Sequence, residues 1–470
     1  MKPFKNKRKG NLITLFLILS LPFLLVAFKK FTDYRKGASG RLADIQVDAS
    51  VVGEKINPSM WRNFAQGGEE RTNMILPMQN NIKNLKTEYV RIDHIYDYYN
   101  VVQSDGSYNF SQLDEIVMSI LNSGAKPFLC LSYIPEEFNH KNITSPPDNW
   151  QKWQDLVQAT IERYSSSEGM AINNVYYEVF NEPDLFGGWH YNKEPNYLTL
   201  YYYSSKAAAN VKNSQNFMIG GPATTNFYPN WVKSLLNYCQ TNNLRIDFIS
   251  WHNYSLSPQQ SLNSIQEFRQ ILLDFPDYSQ IESIISEYGP TADKSNLYQN
   301  KIGAAYQLAT AVNLSGNIDK MFAFELKDGP DDNMGWGLLT HESKGLESKL
   351  RYQSFRFLNL INGRKVLLSG EGSWVQGLAF INENGLNIFL TNFDANNIHY
   401  ENVPIRINGL LTGNYKVRRD YLFGNDFLTR ENVSNDEVIL SAPLEANDAV
   451  LITFYLQSET DQSANIPNRN

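Results

Sequence analysis

Two glutamates 105 residues apart, Glu182 and Glu287, each close an apolar run rich in aromatic or β-branched residues. The stretch 175–181 reads as a buried strand that delivers a carboxylate at its tip, and Pro183 disfavours helical geometry at the residue before it, so Glu182 is expected to stay extended and project forward. The stretch 281–287 has the same design, with Glu287 at its end. After the first glutamate, Gly187 and Gly188 mark a loop that is expected to expose Trp189. Two carboxyl groups presented in this way can divide the work of breaking a glycosidic bond. One protonates the leaving oxygen while the other attacks the anomeric carbon, at a separation of about 5 Å when configuration is retained. An anionic Glu287 would also hold a proton on Glu182; once Glu287 is glycosylated the repulsion is gone and Glu182 can act as a base.

Other acids compete for these roles. Glu178 lies four residues before Glu182, about 13 Å down an extended strand, which makes it an interior residue. Glu136 and Glu137 follow another strand candidate, and Glu325 and Asp328, with Lys327 between them, end a further one. Arg91 is placed to keep Glu287 ionised through a charge-assisted bond, or else simply to pair with Asp93 or Glu88. His252 and Tyr254 either serve the carboxylates, Tyr254 by bonding to Glu287, or pack as part of an aromatic cluster with Trp251. Trp336 sits on a Gly-flanked segment where a ring can act as a platform for a sugar face.

The elements that must position these groups recur with a regular beat. Strand candidates at 60–65, 89–93, 126–131, 175–181, 217–221, 247–251, 283–287 and 321–325 alternate with helix-period stretches. In 111–123, Leu113, Ile116, Val117 and Ile120 share one face; in 149–164, Trp153, Leu156, Val157 and Ile161 do the same. Eight such units predict an α/β chain folded as a (β/α)8 TIM barrel over 37–364, because an open doubly wound sheet would show a Gly-rich phosphate loop after its first strand. Glu182 and Glu287 fall on the fourth and seventh strands of this count, at the ends where barrels carry reactive groups. From 365 to 456 short alternating strands separated by Asn, Gly and Asp turns predict an accessory β-sandwich, which 45–52 can join, and 457–470 reads as a disordered tail.

The chain has 470 residues, 13% of them aromatic, enough for a large core and for rings that stack on sugars. Its net charge of −7 hides an asymmetry: the excess of +8 in residues 1–36 leaves −15 on the remainder. That acidic body, without a basic stripe, excludes nucleic acid as a partner. The six His show no paired ligand spacing, so no metal site and no cofactor are expected, and Cys130 and Cys239, both in apolar surroundings, are read as buried thiols. At the N-terminus a basic cluster precedes the apolar run 12–28, which meets Lys29 and Lys30. No small-residue cleavage site precedes the lysines, so 1–36 reads as a basic cytoplasmic segment and transmembrane anchor that puts the body outside the cytoplasm, with a cleaved secretory peptide as the rival.

Taken in order, the segments 89–93, 126–135, 178–183, 220–223, 247–252 and 335–339 give the chain a resemblance to the clan A (β/α)8 glycoside hydrolases. It is most similar to glycoside hydrolase family 39, the group of β-xylosidases and α-L-iduronidases that also includes membrane-anchored exopolysaccharide hydrolases. The likeness spans roughly 45–455. It implies Glu182 as acid/base, Glu287 as nucleophile and Asn181 as a ligand of the sugar 2-hydroxyl. Arg91, Asp93, Tyr133, His252, Tyr254 and Trp336 complete the expected substrate-binding set. Two positions depart from the pattern: Phe180 stands where the family has Trp, and Asp93 where the xylosidases place His. The anchor and acidic body favour a polysaccharide or oligosaccharide at the cell surface. A non-hydrolytic polysaccharide-binding protein and an exo-acting xylosidase or arabinofuranosidase-type enzyme are the alternatives.

Overall fold

The alternation of short apolar runs and amphipathic stretches closes into a barrel. A computed structural model describes residues 40–139, 142–331, 335–434 and 437–457. The chain begins there with β1 (Ile45–Lys55), followed by eight parallel strands: β2 (Asn63–Gln66), β3 (Tyr89–Ile92), β4 (Lys126–Leu131), β5 (Val175–Val179), β6 (Phe217–Thr224), β7 (Phe248–Tyr254), β8 (Glu282–Gly289) and β9 (Lys320–Phe324). These pair in chain order, and β9 returns to β2, so the sheet has no free edge. Helices such as Ser111–Asn122 and Trp150–Ser165 turn the predicted apolar faces, including Leu113, Ile116, Trp153 and Leu156, onto the barrel.

The barrel interior is layered. Ala65, Tyr89, Phe128, Tyr176, Phe248, Ile284 and Phe322 form one apolar cluster, with Phe128 stacked on Tyr176 at 5.3 Å and tilted against Phe322 at 4.7 Å. Because side chains alternate along a strand, the inward residues two positions further on are Arg91 after Tyr89 and Glu178 after Tyr176. An apolar floor thus carries a charged layer, and above it the strands open at their C-terminal ends.

The accessory domain is formed by β1 with β10 (Arg364–Ser369), β11 (Val375–Asn382), β12 (Gly385–Asn392), β13 (Glu401–Asn408), β14 (Gly413–Tyr421), β15 (Phe427–Val433), β16 (Glu437–Leu444) and β17 (Ala449–Leu456). Hydrogen bonding joins all nine into a single sheet, ordered β15-β14-β17-β12-β11-β10-β1-β13-β16, where two separate sheets were expected. The N-terminal strand is integral to it, antiparallel to β10 and parallel to β13. Val403 and Leu440 near one end share a buried cluster with Val417 and Phe454 near the other, so the sheet curls over its own core. Its other face presents Phe380, Phe389 and Leu451 to the core of the barrel domain.

The run 12–28 and the tail from 458 onward lie outside the described residues. Among the described residues, no helix is long and apolar enough to cross a membrane. Cys130 and Cys239 are buried free thiols.

Candidate active site

The strand carrying the first glutamate stops earlier than its apolar run suggested. β5 ends at Val179, and Phe180 (φ 70°) and Glu182 (φ 43°) both take left-handed backbone, so Glu182 is not extended. The preceding-proline rule gives way to tertiary bonding: the Glu182 amide donates to the Ala223 carbonyl at 3.0 Å, while its carbonyl accepts from Leu185 and Phe186. Glu287 lies inside β8, two residues before its end, opposite His252 on β7, next to an irregularity in the ladder that re-aims both side chains.

These two positions place one carboxylate oxygen of Glu182 within 4.8 Å of one of Glu287. His252 lies between them, its Nδ1 2.8 Å from Glu182 Oε1 and 3.4 Å from Glu287 Oε2. Tyr254 donates its hydroxyl to Glu287 Oε2 at 2.6 Å, and Arg91 Nη1 donates to Glu287 Oε1 at 2.7 Å. The same guanidinium gives Nε to Glu178 at 2.7 Å and Nη2 to Asn181 Oδ1 at 2.8 Å; neither Asp93 nor Glu88 receives it. Asn181 then donates to the Tyr133 hydroxyl at 2.9 Å, which fixes its amide orientation. Glu178 is therefore an interior residue, as expected, and from its buried position it anchors the arginine that holds both Glu287 and Asn181.

Burial pushes the Glu287 carboxyl up, working against His252 and Arg91, which favour its anion; neighbouring Glu182 adds to the rise. For His252 burial opposes the cation, but Glu287 and Glu182 outweigh it and the imidazole is held above its ordinary range. Burial, then Glu287, keep the Tyr254 phenol protonated, so it remains a donor.

The mouth above these groups is a cavity of about 620 Å³ whose wall includes Asp93, Tyr133, Asn181, Glu182, Tyr254, Glu287 and Trp336. Trp336 is half-buried, donating Nε1 to the Ala292 carbonyl at 3.1 Å and meeting Phe324 edge-on. The competing acids fall elsewhere. Glu136 and Glu137 line a different hollow, Glu325 accepts from Gln66 and Gly67, and Asp328 pairs with Lys349 at 2.6 Å. Lys327 is buried between Glu70 and Glu342, and His341 completes that cluster. Trp189, expected on the surface, is buried against Phe180 and Trp150 with its Nε1 donated to the Thr144 carbonyl at 3.0 Å, and Trp251 packs on Phe227 and Phe268.

Residues 43–313 match the family model described as Glycosyl hydrolases family 39. The chain belongs to glycosyl hydrolases family 39. A beta-xylosidase of Geobacillus stearothermophilus is 26% identical over 317 residues, which cover 58% of this chain and 61% of that protein. A beta-xylosidase of Caldicellulosiruptor saccharolyticus is 32% identical over 160 residues, covering 32% of this chain and 31% of its relative. The matched part is thus less than two thirds of either relative's length. A solved structure, the monomeric beta-xylosidase from Caulobacter crescentus CB15, shares the fold at a TM-score of 0.71 and 20% identity, over 88% of this chain and 100% of that one.

In this family 39 chain several cavity residues escaped the sequence reading. His94, Leu185, Phe186, Thr225 and Tyr228 line it, yet none stands in a run whose pattern marks it. The exposure of Leu185 (60%), Phe186 (38%) and Tyr228 (39%) is concentrated at this rim. Asp184 ties the rim together by accepting from the amide and hydroxyl of Thr225. The only available signal was the position of 184–186 directly after the Asn-Glu-Pro turn.

Proposed function

We propose that this protein is a retaining glycoside hydrolase acting by double displacement on an oligosaccharide or polysaccharide, with Glu182 as acid/base and Glu287 as nucleophile. The observation that carries this reading is the close approach of the two carboxylates, within 4.8 Å, because an inverting pair needs room for a water, about 6.5–9.5 Å. Glu182 gives its proton to the glycosidic oxygen as Glu287 attacks the anomeric carbon, and the aglycone leaves as an alcohol. Glu182, now a carboxylate, takes a proton from water; the hydroxide displaces Glu287 and regenerates both groups. Arg91 and Tyr254 hold the attacking carboxylate in place, and Asn181, fixed between Arg91 and Tyr133, is oriented toward a hydroxyl beside the anomeric carbon. Glu287→Gln should lower turnover of an activated glycoside roughly 10⁴-fold while binding persists, and unchanged turnover would reject the assignment.

The exposed apolar rim at Leu185, Phe186 and Tyr228 favours a substrate that continues past the cleaved bond. The names of the two β-xylosidase relatives favour a second reading, release of terminal xylose units. Product analysis on xylan and on xylo-oligosaccharides separates them: a ladder of oligomers supports internal cutting, xylose alone end-trimming. We also place the barrel outside the cytoplasm, tethered by 12–28 or secreted after its removal, on the strength of the basic residues flanking that apolar run. Cell fractionation with immunoblotting should find the barrel domain outside the cytoplasm, in the membrane fraction if 12–28 is kept and free of the membrane if it is removed; recovery in the cytoplasm would reject the placement.

A further inference from the structure

The mouth of the catalytic cavity is built differently on its two sides. Glu182 follows β5 and serves the leaving oxygen in the glycosidase reading above, on which this inference rests, so the aglycone departs on that side. There the rim is open, with Leu185, Phe186 and Tyr228 exposed after β5 and β6. β9 stands opposite β5 in the ring of strands, so Trp336, in the loop after β9, and Glu69, in the loop after β2, border the glycone end. On this side the loops are tied together. Lys294, in the loop after β8, lies 3.6 Å from the Glu69 carboxylate and 4.6 Å from the centre of the Trp336 ring, so one ammonium spans the loops after β8, β9 and β2. Further round, Tyr98, in the loop after β3, donates to the Gly68 carbonyl at 2.8 Å and carries Arg71 over its ring.

The two ends of the Lys294 bridge are fixed. Trp336 gives Nε1 to the Ala292 carbonyl, and its own carbonyl accepts from buried Arg351 at 2.6 Å; Glu70, beside Glu69, pairs with buried Lys327 at 2.8 Å. The bridge itself is not. The side chains of Lys294 and Glu69 are 40% and 21% exposed, where solvent and salt weaken an ion pair, and residues 290–295 lie in neither helix nor strand. We propose that Lys294 sets the mode of cleavage. Bridged to Glu69 and Trp336, it closes the glycone end of the cleft, so a chain enters end-first, lays its remainder over the apolar rim and loses its terminal sugar. When the bridge is removed or screened, the passage between Glu69 and Trp336 opens, a longer glycone threads through, and end-trimming gives way to internal cutting. A partly exposed ion pair and a cation over an indole together support a preference of about 10-fold, a gate and not an absolute barrier.

The test follows early digestion of xylohexaose and cellohexaose, each labelled at its reducing end with 2-aminobenzamide, by chromatography of the labelled products. With wild type in low salt the labelled pentasaccharide should exceed all shorter labelled products by about 10-fold. Lys294→Ala, or wild type in concentrated potassium chloride, should bring the two within about 2-fold, and Lys294→Arg, which keeps both the charge and the ring contact, should preserve the preference. In parallel, calorimetry measures binding of each hexasaccharide to Glu287→Gln with and without a 4-O-benzyl cap on the non-reducing end. The cap should weaken binding about 10-fold, and by less than about 2-fold once Lys294→Ala is added. A product pattern unchanged by Lys294→Ala overturns the proposal, as does a loss of the preference in Lys294→Arg, the mark of a purely structural role. A cap tolerated while Lys294 is in place also overturns it, and no binding of either hexasaccharide overturns both readings. If neither hexasaccharide is hydrolysed but the effect of the cap follows Lys294, the glycosidase reading fails and the closed end stands.

Discussion

At the scale of single residues, the two glutamates proposed to react depend on partners that chain order conceals. Glu182 and Glu287 stand out because each ends an apolar run, a local signal. Of the three-way grip of Arg91 only the bond to Glu287 was foreseeable, with Asp93 and Glu88 as rivals; the bonds to Glu178 and Asn181 were not, because those groups come from distant segments. The backbone at Glu182 is hidden from the sequence for a related reason: the bond to Ala223 that draws it into left-handed geometry arises only when β6 lies beside β5. Removing the guanidinium with Arg91→Met leaves Glu178 buried without its partner and should destabilise the fold by about 3–5 kcal/mol, read by urea unfolding. Tyr254→Phe deletes a donor to Glu287 Oε2, the proposed attacking carboxylate, and should lower kcat about 10- to 100-fold while KM changes little, measured by steady-state kinetics. As the proposed nucleophile Glu287 has to be anionic, and burial raises its pKa, so kcat/KM should begin to fall with decreasing pH above the ordinary carboxylate range of about 4.3. A pH profile with its acid limb at that ordinary value would show that Arg91 and His252 outweigh burial; either limb belongs to the coupled pair rather than to one residue.

At the scale of elements, periodicity is the strong signal and pairing the weak one. Eight apolar runs separated by amphipathic helices were enough to anticipate the closed parallel barrel, since few other arrangements bury that many strands on both faces. Strand ends drifted by a few residues where turns intervene: the predicted start at 60 falls in the 3-10 turn Pro58–Trp61, and the strand itself begins at Asn63. The accessory domain was legible as β-structure, but its single curled sheet was not, because alternation fixes which face is buried and leaves the neighbour of each strand open. β1 shows this best, for it lies between β10 and β13, more than 300 residues away in sequence. Ile45 is fully buried there, and Ile45→Ala should cost about 2–5 kcal/mol in chemical unfolding, as expected for a central strand and far more than for an exposed arm.

At the scale of the whole molecule, the sheet and the barrel share packing through Phe380, Phe389 and Leu451, which join the core cluster of the barrel domain. The two parts should accordingly unfold in one calorimetric transition, and Phe389→Asp should split it into two. The layers of the barrel connect fold to the proposed chemistry: an apolar floor, the Arg91 and Glu178 layer resting on it, and above them two carboxylates whose facing oxygens lie within 4.8 Å, the close approach that the proposed retaining mechanism requires. That spacing is the central claim, and proton NMR of the first-formed product tests it most directly. Hydrolysis of an anomerically pure glycoside should yield sugar of the same anomeric configuration before mutarotation sets in; the opposite anomer would contradict a covalent intermediate on Glu287.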